Sequence, residues 1–262
     1  MRVVGVQHRI EWHDPDATMT RVTPQIRSAV ASGGDLICLT EMFSTGFSMD
    51  TDAVVEPVDG PSSQFLAQSA AASSTAAGRP IHLAASVPIF DPAVHPELPV
   101  NRLLVYGPDG LVARYDKLHP FSLSGEDTCY AAGSNPLTVK IAGVRVSFLV
   151  CFDLRFAYGF CDLALDTDLY VVVANWPASR RTHWQTLLHA RAIENLAYVV
   201  GVNRVGEDGN GFDHAGDTML VSPMGETLAS ATQIETLVIG DVDPAQVQTA
   251  RKRFGFLNDR RQ

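Results

Sequence analysis

Three polar side chains in this sequence directly follow apolar runs that are typical of β-strands. Glu41 follows the run LICLT, Lys117 follows LVARYD, and Cys151 follows VSFLV. In α/β folds, functional side chains gather beyond the ends of the strands. We therefore expect a carboxylate, an ammonium and a thiol to lie close together at one edge of the fold.

These three groups together have the chemistry needed to hydrolyse an amide. A thiol is only a few per cent ionised at neutral pH, so the Glu41 carboxylate is expected to take the proton of Cys151 as the sulfur attacks. Negative charge then develops on the carbonyl oxygen. The Lys117 ammonium and a backbone N–H would stabilise that charge by roughly 3–4 kcal/mol per well-placed donor. The same glutamate then activates the water that cleaves the thioester.

The spacing of apolar residues indicates the strands and helices that must position these groups. β-branched and aromatic runs predict strands at 3–6, 36–39, 103–106, 146–150, 169–174, 197–202 and 237–239. Apolar spacing of three and four predicts helices over 62–77 and 184–194, whereas Pro24 leaves the start of a helix within 16–32 undecided. Turns at 107–110 and 142–143 indicate hairpins, so we predict an α/β fold of mixed sheets covered by helices.

The composition narrows the class of protein. A chain of 262 residues fits a single domain, 1–262. The net charge of −9 and the lack of a basic block argue against nucleic acid as a partner. No apolar segment is long enough to span a membrane, and the N-terminus is typical of a strand rather than a signal peptide, so we predict a cytoplasmic protein. The long irregular stretch 117–135 is expected to carry function.

The remaining cysteines and the histidines do not predict a metal site. The four cysteines lack a C-x-x-C pair and are predicted to be free thiols. Without a neighbouring acid and lysine, Cys38, Cys129 and Cys161 are predicted to be buried core thiols. His183, His189 and His214 are predicted to be surface or helical residues rather than metal ligands.

The segments around Glu41, Lys117 and Cys151 resemble the Glu-Lys-Cys signature of the nitrilase (carbon-nitrogen hydrolase) superfamily, in that family's chain order. The similarity extends over most of the chain, through EMFSTGFSM, YDKLHPFSLSGE, CFDLRF, NWPASR, LLHARAIENLAYVVGVNRVG, SPMGE and RFGFLNDR. These segments look most like the omega-amidase branch, which removes the terminal amide of 2-oxo acids such as 2-oxoglutaramate and 2-oxosuccinamate. The chain departs from that branch at four positions: Thr40, Phe152, Ala157 and Gly255.

This resemblance implies a four-layer αββα sandwich of two mixed sheets, a homodimer or higher homo-oligomer, and a thioester intermediate without a cofactor or metal. It also implies that Cys151 is the nucleophile, Glu41 the general base and Lys117 the oxyanion-stabilising residue. Glu126 matches the family's second glutamate, which supports the lysine and positions the substrate. The peptide N–H of Phe152 would complete the oxyanion hole.

Several alternatives stay open at this point. Arg155 is expected either to bind a substrate carboxylate or to pair with Asp153 or Glu194. Trp176 is either a wall of the substrate pocket or a core residue. The favoured substrate is the omega-amide of a 2-oxo dicarboxylic acid. Other members of the superfamily act on N-carbamoyl amino acids, nitriles or aliphatic amides, and a non-catalytic binding module of the same fold is a further alternative.

Overall fold

The computed structural model describes residues 1–260, within which there are fourteen strands and seven α-helices. The strands are β1 Arg2–Gln7, β2 Leu36–Cys38, β3 Glu56–Pro57, β4 His82–Phe90, β5 Val100–Gly107, β6 Gly110–Asp116, β7 Thr138–Ile141, β8 Val144–Val150, β9 Leu169–Ala174, β10 Tyr198–Asn203, β11 Val205–Glu207, β12 Asp213–Val221, β13 Thr227–Thr232 and β14 Thr236–Asp241. The helices are α1 Pro15–Ala31, α2 Thr51–Val54, α3 Pro61–Ala77, α4 Glu126–Cys129, α5 Ala157–Leu163, α6 Arg181–Asn195 and α7 Pro244–Phe254.

The strands form two mixed sheets. The first has the order β14-β1-β2-β4-β5-β6, with β3 beside β4, and the second has the order β11-β12-β10-β9-β8-β7, with β13 beside β12. In the first sheet β1, β2 and β4 are parallel, and in the second β8, β9 and β10 are parallel; antiparallel strands flank both sets. Each predicted strand and both predicted hairpin turns are present, so the prediction of mixed sheets is confirmed.

The alternation of side chains along each strand explains why the two sheets stack. In β8, Val146, Phe148 and Val150 face the core between the sheets, whereas Leu149 packs under the helices on the outer side. α1 and α3 cover the outer face of the first sheet, and α5 and α6 cover that of the second. Strands that are apolar on both faces require a cover on both sides. The result is a four-layer αββα sandwich, which confirms the fold that the family resemblance implies.

Helix α1 resolves the uncertainty at Pro24. The helix begins after Asp14, whose side chain accepts the N–H of Ala17 at 2.9 Å, and it continues through Pro24 to Ala31. Pro24 lies on the exposed face, opposite the buried Val22 and Ile26. The carbonyl left without its helical N–H partner therefore reaches solvent, which makes an internal proline tolerable.

The stretch 117–135 contains little regular structure. It contains one 3-10 turn, Ser122–Ser124, and the single-turn helix α4. Within residues 1–260, none of the helices combines the length and apolar character needed to cross a lipid bilayer.

Candidate active site

The strand ends bring the predicted residues together. Glu41 lies shortly after β2, Lys117 directly after β6, and Cys151 directly after β8. Lys117 and Cys151 line a cavity of about 580 Å³, and Glu41 is completely buried against them. Because β2 belongs to one sheet and β8 to the other, the cavity lies where the two sheets meet.

Lys117 is held between two carboxylates. Its Nζ donates to Glu41 Oε1 at 2.8 Å and to the two carboxylate oxygens of Glu126 at 3.0 and 2.8 Å. Burial by itself would lower the pKa of Lys117, but the negative charges of Glu126 and Glu41 outweigh burial and raise it. The side chain therefore remains an ammonium ion, fixed in position at the cavity.

The two glutamates are linked by an asparagine that sequence reasoning missed. Asn101 Nδ2 donates to Glu41 Oε1 at 2.9 Å and to Glu126 Oε1 at 3.1 Å. Burial and the charge of Glu41 raise the pKa of Glu126, against the opposing effect of Lys117. Asn101 therefore helps to keep two buried carboxylates close together. Its signal in the sequence was a polar amide next to Arg102 in strand β5, which is otherwise apolar.

A second asparagine holds the Glu41 carboxylate in place. The backbone N–H of Asn175 donates to Glu41 Oε2 at 2.9 Å, and its side-chain Nδ2 donates to the Glu41 carbonyl at 2.6 Å. Asn175 also lines the cavity. Asn175 directly follows β9, just as Cys151 directly follows β8. The expectation that functional side chains lie beyond strand ends could therefore have identified it from the sequence.

Cys151 lies on a sharp turn. Its φ of 45° is unusual for a residue with a Cβ atom and places the side chain at the tip between β8 and the 3-10 helix Cys151–Arg155. Burial and the negative charge of Glu41 raise the pKa of the thiol well above its ordinary value, and Lys117 only partly offsets them. The thiol is therefore protonated at neutral pH.

Phe152, whose backbone N–H is predicted to be an oxyanion donor, lies on the same turn. Phe152 is in the first turn of the 3-10 helix, where backbone N–H groups have no acceptor within the helix. Its ring packs against Phe121 at 4.8 Å and against Phe156 at 5.3 Å, measured between ring centroids. These contacts fix Phe152 next to Cys151.

Asp153 holds the turn at Cys151 in place. Its Oδ2 accepts the Val150 N–H at 2.9 Å and the Tyr115 hydroxyl at 2.8 Å. Its Oδ1 accepts the backbone N–H and the Nδ1 of His119 at 2.9 and 2.7 Å. A buried carboxylate with four donors connects the turn to β6 and to the loop after Lys117.

We predict that Asp153→Ala destabilises the protein by about 2–4 kcal/mol, because the substitution leaves several buried donors without an acceptor. Urea denaturation monitored by circular dichroism measures this change. Asp162→Ala, on the exposed side of α5, is the matched control and should leave the free energy of unfolding within about 0.5 kcal/mol. Equal stability of the two variants would show that the Asp153 contacts contribute little.

The three residues predicted to bind substrate, Phe152, Arg155 and Trp176, all line the cavity. Pairing of Arg155 with Asp153 or Glu194 is wrong: Asp153 is engaged as described, and Glu194 accepts from Arg191 at 2.8 Å. The Arg155 guanidinium instead lies 5.0 Å from the centre of a Trp176 ring and donates to His183 Nδ1 at 3.1 Å. Trp176 satisfies both alternatives. It is buried in the core between the second sheet and its covering helices, and it also forms a wall of the cavity.

Other walls of the cavity were not predicted from the sequence. Most of them come from loops: Trp12, His13, Phe47, Phe121 and Phe212. Arg180 ends the 3-10 turn Ala178–Arg180, and His214 lies near the start of β12. The prediction that His214 is a surface or helical residue is wrong, because it is buried in β12. All four cysteines are free, but only Cys38 is a core thiol as predicted; Cys129 and Cys161 are half-buried, since α4 and α5 are outer elements.

Comparisons with known proteins agree with this geometry. The profile of the family "Carbon-nitrogen hydrolase" matches residues 2–252. The omega-amidase YafV of Escherichia coli (strain K12) is 36% identical over 260 residues, which are 99% of this chain and 96% of that protein. The 2-oxoglutaramate amidase of Bacillus subtilis (strain 168) is 28% identical over 228 residues, 86% of this chain and 84% of that protein.

A solved structure shows the same fold. XC1258 from Xanthomonas campestris, a CN-hydrolase superfamily protein with an arsenic adduct in its active site, has 35% identity and a TM-score of 0.91, and the match covers 100% of this chain and 97% of that one. The family match extends over nearly the whole chain. The chain therefore belongs to the carbon-nitrogen hydrolase family and is an amidase.

Proposed function

We propose that this amidase hydrolyses the omega-amide of a short 2-oxo dicarboxylic acid, such as 2-oxosuccinamate or 2-oxoglutaramate, to the acid and ammonia. The observation that carries the proposal is the buried network of Glu41, Lys117 and Glu126 beside the Cys151 thiol in one cavity. The similarity to an omega-amidase and to a 2-oxoglutaramate amidase supports the choice of substrate.

In the acylation half-reaction, Cys151 Sγ attacks the amide carbon while its proton passes to Glu41. The carbonyl oxygen becomes an oxyanion, which Lys117 Nζ and the Phe152 N–H stabilise. The protonated Glu41 then donates to the amide nitrogen as the carbon–nitrogen bond breaks. Ammonia leaves, and a thioester joins the acyl group to Cys151.

In the deacylation half-reaction, the carboxylate of Glu41 removes a proton from water as the oxygen attacks the thioester carbon. The same two donors stabilise the second oxyanion. When the carbon–sulfur bond breaks, the proton held by Glu41 returns to the sulfur and the carboxylic acid departs. Glu126 stays next to Lys117 throughout and positions the ammonium.

Substrate recognition follows from the lining of the cavity. The Arg155 guanidinium presents N–H groups that match a carboxylate, and the ring of Trp176 suits the short carbon chain between the two ends of the substrate. A 2-oxo acid amide has this arrangement, with an anion at one end and an amide at the other.

A panel of substrates tests the proposal. We expect kcat/KM to be at least tenfold higher for 2-oxosuccinamate than for N-carbamoyl-alanine, butyronitrile or butanamide, because only the first offers both a carboxylate and a short linear amide. Ammonia release measured with a coupled assay gives these ratios. A preference for butanamide or the nitrile would exclude the proposed substrate class while leaving the thiol mechanism in place.

We further propose that the protein is a cytoplasmic homodimer. Apolar side chains on the outer helices of the second sheet, Tyr158, Leu165 and Ile193, are about half exposed and offer a surface for a second copy. The four free thiols fit a reducing compartment. Light scattering at micromolar concentration measures the assembly, and a monomeric mass would refute the dimer.

A further inference from the structure

Two arginines at the cavity have no carboxylate partner. Among the ion pairs formed by residues 1–260, none includes Arg155 or Arg180, although both line the cavity. The next residue, Arg181, binds Asp217 at 2.7 Å. Of these two consecutive arginines, Arg181 is therefore neutralised by Asp217, whereas Arg180 carries an unpaired positive charge at the cavity.

Aromatic rings hold these two cations. The Arg155 guanidinium lies over Trp176 at 5.0 Å, and that of Arg180 lies over Phe121 at 5.3 Å. A cation over a ring face is fixed by the ring's quadrupole, while its N–H groups remain available for a ligand. The indole N–H of Trp176 donates to the Arg180 carbonyl at 2.9 Å. One short segment, 176–180, thus positions both cations.

The side chains of Arg155 and Arg180 line the same cavity. Burial lowers the pKa of Arg155, and the positive charge of Arg180 lowers it further. The cavity also contains two acidic residues, but Asp50 is exposed, and Asp208 accepts the N–H groups of Asn210 and Phe212 in its own loop. An anion bound between the arginines would relieve their repulsion.

We propose that Arg180 is a specificity-determining residue that binds, together with Arg155, the carboxylate of the substrate at the end opposite the scissile amide. This inference rests on the proposed function and adds Arg180 as a second cation at the site that binds the substrate carboxylate. Charge-assisted bonds from two guanidinium groups select an anionic amide over a neutral one of the same length. The preference for 2-oxo acid amides would then depend on the segment 176–180 as well as on the nucleophile turn.

Arg180→Met tests this inference, since methionine keeps the apolar contact with Phe121 and removes the charge. We expect the ratio of kcat/KM for 2-oxosuccinamate to that for butanamide to fall at least tenfold, mainly through a higher KM for the anionic substrate. Arg180→Lys, which keeps the charge and loses the planar fork, should give a smaller fall. Arg27→Met, an exposed position on α1, removes the same charge and should leave the ratio unchanged.

The possible outcomes distinguish a wrong role for Arg180 from a wrong substrate class. If the wild type prefers 2-oxosuccinamate and Arg180→Met keeps the full preference, the role of Arg180 is overturned and the proposed function stands. If the wild type itself prefers butanamide, the proposed substrate class is wrong, and the carboxylate site with it. A fall in kcat for both substrates with unchanged KM would indicate a structural effect and would also overturn the inference.

Discussion

Cys151→Ala should lower kcat for amide hydrolysis by about 10⁴-fold or more, because the proposed mechanism requires a covalent intermediate on the Cys151 thiol. The fold should tolerate the change. Cysteine and alanine both carry a Cβ atom, so the cost of the positive φ at this position is the same for both. We expect the free energy of unfolding to change by no more than about 1 kcal/mol.

Cys38→Ala serves as the control, because it should lower stability and retain activity, whereas Cys151→Ala should lose activity and retain stability. Cys38 is completely buried in the core between the sheets, and burial raises the pKa of its thiol. Loss of the sulfur should destabilise the protein by about 1 kcal/mol and leave kcat nearly unchanged. If Cys38→Ala abolished turnover and Cys151→Ala did not, the assignment of the nucleophile would be wrong.

Lys117→Met should reduce both activity and stability. In the proposed mechanism the variant loses the ammonium donor to the oxyanion, which costs about a hundredfold to a thousandfold in kcat. It also leaves Glu41 and Glu126 buried without their cation. Removal of one partner from a buried ionic network typically costs about 3–5 kcal/mol. Steady-state kinetics and urea denaturation measure the two effects.

The loss of stability in Lys117→Met should depend on pH. Burial and the charge of Glu41 already raise the pKa of Glu126, and Lys117 opposes them. Without Lys117 the folded-state pKa rises further above the unfolded value of about 4.3. A carboxyl whose pKa is raised on folding stabilises the fold below its unfolded pKa, and this contribution is lost as pH rises through the folded pKa. The variant should therefore lose stability, relative to wild type, as pH rises above the unfolded pKa of about 4.3.

Lys140→Met removes the same charge from an exposed position on β7 and is the matched control. We expect it to retain wild-type kcat and wild-type stability over the same range of pH. If Lys117→Met had a pH-independent stability close to that of Lys140→Met, the carboxylates would not depend on the ammonium, and the network described above would not hold the site together.

Much of the architecture was predictable because strands and their ends are encoded locally. Continuous apolar runs identified the strands that are buried on both faces, and polar residues directly after those runs identified Glu41, Lys117 and Cys151. Helix α1 was less certain, because the effect of Pro24 depends on which side of the helix faces solvent. That face is set by packing against the first sheet, not by the local sequence.

The walls of the cavity were harder to predict for the same reason. Phe47, Phe121 and Phe212 come from loops that are distant in sequence, and loop conformations carry no periodic signal. Asn101 was missed because its role depends on two glutamates from other elements. Arg180 has no sequence signal that separates it from Arg181. Only the three-dimensional arrangement shows that one pairs with Asp217 and the other does not.

The central claim is that the acyl group of the substrate passes through a thioester on Cys151. Rapid acid quenching during turnover of 2-oxosuccinamate, followed by mass spectrometry of proteolytic peptides, tests it most directly. We predict an acyl adduct on the peptide that contains Cys151, and hydroxamate formation when hydroxylamine competes with water. Steady ammonia release with no adduct on Cys151 and no hydroxamate would contradict the claim.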